Sequence, residues 1–286
     1  MTFQSYLQSK CLSEETISKY VAYLADFTAW LQQESLAPGS FTYNDLVAYM
    51  QDMRERGRTQ RTIRMMMGIL RHYGDMLVAD GQRDDNPAEG LYVRGVRRVS
   101  IPANILGLQE LEDAYHQYSL QLNVDMGKKV MLGLLIYQGL TVSELSALEG
   151  RQLWVRERKM LIKAGRQGAE RILPLRDVQI PILEAYLQAK KHRLGPLFVE
   201  ARKPQISDRN VLNRIKHMMG QVHQLNPSIK SAIQIRASVI THWLKEQHLR
   251  QVQYMAGHKY VSSTERYQTG HLEDLQSAVK RHHPLK

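Results

Sequence analysis

The chain has 286 residues, enough for two ordinary domains that each bury a core without covalent staples. A single cysteine, Cys11, excludes an internal disulfide, and no cluster has metal-ligand spacing, so a disulfide scaffold and a zinc module are ruled out and a reducing cytoplasm is expected. The stretch MTFQSYLQSKCLSEE lacks the signal-peptide pattern and no apolar run nears the roughly 18 residues of a membrane span, while a net charge of +11 points to a polyanionic partner.

That charge is unevenly spread. Residues 1–100 carry 12 Lys+Arg against 12 Asp+Glu, whereas residues 101–286 carry 27 against 16, so the second part is expected to hold the main phosphate-contacting surface.

In chain order, the first clear element is TISKYVAYLADFTAWLQQ. Ile17, Tyr20, Val21, Leu24, Phe27 and Leu31 recur at three- and four-residue steps, and Ser13 stands before Glu14 and Glu15 as an N-cap. APGS ends this helix, and Tyr43 to Arg56 forms the next. A third helix falls in RTQRTIRMMMGILRHYGDMLVADG, with Ile63, Met66, Met67, Leu70, Tyr73 and Leu77 on its core face. Arg61, Arg64 and Arg71 lie off that face, as phosphate contacts or as solvated charges. Asn86-Pro87 stops the helical pattern, and Val93 to Pro102, with Arg94, Arg97 and Arg98, has the composition of a basic linker.

Beyond the linker, helices are expected around Leu108 to Tyr118 and Lys128 to Leu140. Three short β-compatible runs follow, Leu153 to Val155, Met160 to Ile162 and Arg171 to Leu175, separated by turn-like segments, one of them AGRQGAE; they predict a small antiparallel sheet. Helices resume after it, ending in a short one with Leu272, Leu275 and Val279 at helical spacing. The fold class is therefore mainly α with a small antiparallel β-sheet.

Four segments, in chain order GLTVSELSAL, AGRQGAERILPL, IQIRASVITHWL and MAGHKYVSSTERY, resemble those of the tyrosine recombinase (phage integrase, Xer-like) family. GLTVSELSAL (Gly139 to Leu148) is similar to a Gly-Leu-Arg-x-Ser-Glu-Leu helix start, and AGRQGAERILPL (Ala164 to Leu175) to a Gly-Lys-Gly-x-x-x-Arg-x-x-Pro-Leu hairpin. IQIRASVITHWL (Ile233 to Leu244) resembles a His-x-Leu-Arg-His-Thr helix, and MAGHKYVSSTERY (Met255 to Tyr267) a Gly-His with a Tyr nine residues after the His. The run of Tyr6-Leu7, Ser13, Thr16, Tyr20, Leu24, Phe27 and Trp30 is similar to the family's core-binding domain.

The resemblance implies a helical, SAM-like core-binding domain over 1–92 that clamps DNA, a linker over 93–102, and an α+β catalytic domain over 103–286. It implies double-stranded DNA as partner, a homo-tetramer on two DNA sites, and accessory DNA-bending or directionality proteins. It implies no cofactor, no metal and no membrane. Arg61, Arg64, Arg94, Arg97 and Arg98 are the candidate DNA contacts of the first part and the linker.

Breaking a phosphodiester without a metal needs a nucleophile, positive charge on the non-bridging oxygens and an acid for the departing 5′ oxygen. By resemblance Tyr267 is the nucleophile, Arg236 the phosphate-holding fork, and His258 its hydrogen-bonding or proton-transferring neighbour. Three positions depart from the pattern. Thr141 stands where the family has its first arginine, Ile233 where a His or Lys precedes the second, and Arg166 where the hairpin lysine acts as general acid. Two readings follow. Either the site is active with compensation, for which Lys163, Arg151, Lys128 and Lys129 are nearby in sequence, or the chain is a degenerate recombinase that binds DNA as an accessory protein. A helical transcription or replication factor of unrelated origin would not carry all four segments in order.

Overall fold

The computed structural model describes residues 1–94, 101–102, 104–121, 124–165, 168–190, 195–198 and 208–268, with the side chains of 208–210 excepted. Arg97, Arg98, Arg166 and the terminal segment bearing Leu272, Leu275 and Val279 lie outside the described residues. The chain divides into two compact units, Met1–Val99 and Ser100–Lys286.

The first unit is helical: α1 (Phe3–Ser9), α2 (Glu14–Gln33), α3 (Tyr43–Glu55) and α4 (Gln60–Ala79). Ser13 caps α2 by accepting from the Thr16 N–H, Thr42 and Asp45 form a reciprocal capping box on α3, and Thr59 caps α4. The expected face of α4 is buried throughout, from Ile63 to Leu77, and Met66 and Met67 are plain core. On α2, Val21 departs from expectation and is 39% exposed, so the apolar stripe is narrower there than the spacing suggested. An aromatic cluster of Phe27, Trp30, Phe41 and Tyr49 fills the centre, with Phe27 edge-on to Phe41 at 5.3 Å. Arg71 is neither solvated nor turned outward: it donates to the Ala88 and Leu91 carbonyls and pins the segment after Asn86-Pro87.

The second unit continues with α5 (Leu108–Leu120), α6 (Met126–Gln138) and α7 (Val142–Ala147), then β1 (Leu153–Trp154), β2 (Lys159–Ile162) and β3 (Arg171–Pro174). After these come α8 (Ile180–Ala189), α9 (Asp208–Leu225), α10 (Ala232–Glu246), α11 (Leu249–Ala256) and helical residues 261–268. The strands form one antiparallel sheet in the order β1-β2-β3, with Met160 opposite Leu173 and Ile162 opposite Arg171. α6 is the central buried helix and packs against α5, α8, α9 and α10, which accounts for its nearly unbroken apolar sequence. Among the described residues no helix is long and apolar enough to cross a membrane.

Two polar devices hold α10 in register. Gln234 donates to the carbonyls of Asn104 and Ser228, and the Ser238 hydroxyl accepts the Leu106 N–H while His242 engages the Leu106 carbonyl at 2.7 Å. A helix whose buried polar atoms are all spoken for has one seating, and this one carries Arg236.

Candidate active site

Four pieces of chain converge on Arg236. α6 ends at Gly139, whose left-handed backbone (φ +57°) turns the chain into α7, and the Gly139 carbonyl accepts from Arg236 Nη1. α11 ends at Gly257 (φ +68°), and the Ala256 carbonyl just before it accepts from Arg236 Nη2 at 2.6 Å. His258 follows at once, with Nε2 3.3 Å from the same Nη2. The guanidinium is thus held by two carbonyls at helix ends, where backbone acceptors lack partners of their own.

The tautomer of His258 follows from its neighbours. Arg236 has donors only, so Nε2 must present its lone pair; the proton sits on Nδ1 and is donated to the Thr264 hydroxyl at 2.8 Å. Thr264 is fully buried. Burial first, then the charges of Arg236 and Arg171, push the imidazole down to about 4, with Glu144 opposing, so it is neutral at physiological pH.

Tyr267 stacks on His258, ring centroids 5.8 Å apart and 16° from parallel, and its ring packs against Ile240, Val252 and Ala256. Tyr267 is also near enough to Arg236 to act on its charge. Burial lowers the guanidinium's pKa, while Glu144 and Tyr267 pull it back up, so it keeps its proton.

Thr141 has a structural task. As N-cap of α7 it accepts the Glu144 N–H at 3.1 Å, and its own N–H donates to Glu144 Oε2 at 2.8 Å. Glu144, so fixed, meets Arg171 Nη1 at 2.6 Å, with Arg236 Nη1 further off at 3.8 Å. Burial raises the Glu144 carboxyl, but the hydrogen bond and charge of Arg171, the Thr141 N–H and Arg236 together outweigh it and hold it below the usual carboxylate range. Arg171 is fully buried, and its Nε donates to the Met255 carbonyl at 2.8 Å.

The remaining sequence candidates fall elsewhere or do less. Ile233, one turn before Arg236, is 71% exposed and offers no polar group. Lys163 and Arg151 both pair with Glu149, Lys128 is hydrogen-bonded to His217, and Lys129 to the Ser119 carbonyl. Arg166 lies outside the described residues; of those that follow it, Gly168 bridges to His258, and the Ala169 N–H donates to the Gly257 carbonyl at 3.0 Å. In the first unit Arg61 and Arg94 are exposed, and Arg64 lies over the Tyr92 ring at 5.8 Å.

Sequence reading missed Arg171, Glu144 and Thr264. The signal for the first was present. In a strand side chains alternate, so Arg171 must share the face of Leu173, which is core, and a charge there needs a partner.

Two expected results arise from this geometry. A Cβ on Gly257 would sit 2.3 Å from Arg171 Nη1 and 2.8 Å from its Cζ, and the backbone is left-handed. Gly257→Ala should therefore destabilise the second unit by more than about 2 kcal/mol, left-handed strain alone being about 1–2 kcal/mol. Urea unfolding reads this, and an unchanged midpoint would mean that Arg171 is not seated beneath this turn. The second concerns acid. With the folded pKa of His258 below the unfolded one, the unfolded chain binds its proton first as pH falls, so stability is full above about 6.5 and is lost down to about 4. Unscreened, the shift would be worth about 3 kcal/mol; for a partly solvated ring about 1–2 kcal/mol is expected. His258→Gln should flatten the stability profile in that window, and an unaltered slope would refute the assignment.

A family model described as "Phage integrase family" matches residues 108–273, and one described as "Phage integrase, N-terminal SAM-like domain" matches residues 1–81. Among curated relatives, tyrosine recombinase XerC of Psychromonas ingrahamii is 24% identical, covering 99% of this chain and 95% of its own length. Tyrosine recombinase XerD of Shewanella oneidensis is 27% identical, covering 96% and 93%. Among solved structures, the Tn1549 transposon integrase in complex with transposon right end DNA superposes with a TM-score of 0.68 at 14% identity, over 99% of both chains. A lambda integrase dimer bound to a COC′ core site gives 0.66 at 13% identity, over 91% of this chain and 94% of that one. These likenesses bear out the fold class: a mainly helical chain with a small antiparallel sheet.

Proposed function

The chain belongs to the phage integrase family of tyrosine recombinases, and from that premise we propose that it is a site-specific DNA recombinase whose Tyr267 cuts and rejoins strands through a 3′-phosphotyrosyl link. The observation that carries the reading is the convergence of Arg236, His258 and Tyr267 on one spot from three separate elements.

In the reaction the Tyr267 oxygen attacks the scissile phosphorus, forming a phosphotyrosyl ester as the bond to the 5′ oxygen breaks. The phenol is a suitable nucleophile because it ionises more readily than a serine hydroxyl, and the ester retains the bond energy needed for religation. Arg236 holds non-bridging oxygens and stabilises the charge that builds on them. Neutral His258, with a lone pair on Nε2, takes a hydrogen bond or a proton at the same place. The 5′ oxygen leaves as a hydroxyl. Arg166 stands in the lysine's place, and a guanidinium gives up a proton poorly, so leaving-group protonation is the step this chain is least equipped for.

Strand exchange follows when the freed 5′ hydroxyl attacks a partner's phosphotyrosine, which calls for four protomers on two sites. Arg61, Arg64 and Arg94 contact phosphates and set register without reading sequence. A second reading, an accessory protein that binds DNA without chemistry, draws on Thr141 serving as a cap and on the apolar, exposed Ile233.

One experiment separates them. The recognition duplex is enriched by the protein from a randomised pool and nicked near the cleavage point so that the cut end diffuses away; the products are run on a denaturing gel. A covalent protein–DNA band supports the recombinase. Its absence on a duplex the protein binds leaves the accessory role.

A further inference from the structure

The buried groups of the site leave a particular charge. Two guanidinium groups, Arg171 and Arg236, face one carboxylate, Glu144, and a neutral imidazole, His258, so these four carry a single net positive charge. The carboxylate is not shared evenly. Arg171 meets Oε1 at 2.6 Å, whereas Arg236 is 3.8 Å from Oε2, an oxygen that also accepts the Thr141 N–H. Arg236 rests instead on two carbonyls, which orient its fork but do not neutralise it. The side chain of Arg171 is entirely buried, and its Nη2 has no hydrogen-bond partner among the described residues. A buried guanidinium left partly unpaired is costly unless something nearby uses its charge.

We propose that Arg171 neutralises Glu144 and thereby leaves the charge of Arg236 for the scissile phosphate, so that a site with Thr141 in place of an arginine is still matched to the single negative charge of a phosphodiester. This rests on the strand-cleavage reading above. Arg171 does not touch DNA, being covered on all sides; it is a positioning residue that acts through Glu144. Without it the carboxylate would turn to Arg236, and the cluster would carry no net charge.

The test uses the full-length chain with three variants: Arg171→Met, which keeps an adaptable apolar volume; Glu144→Gln, which preserves the cap on α7; and the two together. Covalent-complex formation is measured under single turnover on the nicked duplex, at a temperature where circular dichroism shows every variant folded. Arg171→Met should slow cleavage by about 100-fold or more, as for a lost transition-state contributor, Glu144→Gln should cost at least about tenfold less than that, and the double variant should regain at least about tenfold over Arg171→Met. The asymmetry of the single variants decides the matter. A merely structural ion pair suffers from the loss of either partner, so equal losses, or an Arg171→Met that cleaves like wild type, overturn the proposal.

A second readout does not depend on cleavage. With 13C-labelled histidine, the His258 titration should move up in Arg171→Met and down in Glu144→Gln. A His258 that titrates alike in wild type and Arg171→Met overturns the charge assignment. If wild type forms no covalent complex, the recombinase reading falls, and this titration still decides how the charge is arranged.

Discussion

Tyr267→Phe is expected to abolish covalent capture of DNA while leaving binding almost intact. The substitution removes one oxygen and keeps the ring, so the stack on His258 and the packing against Ile240, Val252 and Ala256 survive. What goes is the proposed attacking oxygen, together with its electrostatic pull on Arg236. The hydrogen bond that such a phenol can give a bound phosphate contributes about 0.5–1.5 kcal/mol net, so affinity for the recognition duplex should fall by no more than about tenfold. With the attacking oxygen gone, cleavage should drop by at least about 10⁴-fold, below detection on a gel. The two measurements must be made on one preparation. If the Phe variant still forms a covalent band, another residue attacks the phosphate and Tyr267 is packing; if it loses binding as well, the tyrosine belongs to the fold and the cleavage result says nothing about chemistry.

The elements that sequence read well are those whose physics is local. Helices α2 and α4 each present an apolar stripe over twenty residues, and at α2 the expected cap Ser13 agrees with the period without any knowledge of the rest of the chain. The three short strands were legible because β-branched and aliphatic runs sit between turn-forming segments. α1 spans only seven residues, too few for a period to emerge, and is held by Phe3, Tyr6 and Leu7 entering a core made elsewhere. Arg71 looked like a surface charge because nothing nearby in sequence asks for it; its acceptors lie 17 and 20 residues on.

At the site the division is the same. Resemblance to the family's motifs nominated Tyr267, Arg236 and His258, and the folded chain brings those three together. It did not nominate Glu144 or Arg171, because their pairing spans 27 residues and two different kinds of element. Nor did it foresee Thr264, six residues after His258, which meets Nδ1 only because the chain turns between α11 and the helical residues 261–268. The sequence departures take on a physical sense in turn. Thr141 gives up a charge and supplies a helix cap that fixes Glu144, and Glu144 in turn is claimed by Arg171.

Arg236 should be the second most costly residue to lose. Arg236→Ala is expected to slow covalent-complex formation by at least about 10²–10³-fold, the usual consequence of removing one donor aimed at transition-state charge, and by more here because Thr141 offers no second guanidinium at the phosphate. Part of any loss will be structural. The side chain is the partner of the Gly139 and Ala256 carbonyls, and leaving both unmet costs about 1–3 kcal/mol each if water cannot reach them. Arg236→Lys separates the contributions. A lysine restores charge but is a point donor that cannot span two carbonyls and two phosphate oxygens at once. If the fork matters, the lysine variant recovers no more than about tenfold of the lost rate, even where urea unfolding shows its stability close to wild type. If charge alone matters, rate and stability return together, and Arg236 is then an electrostatic anchor whose geometry the reaction does not use.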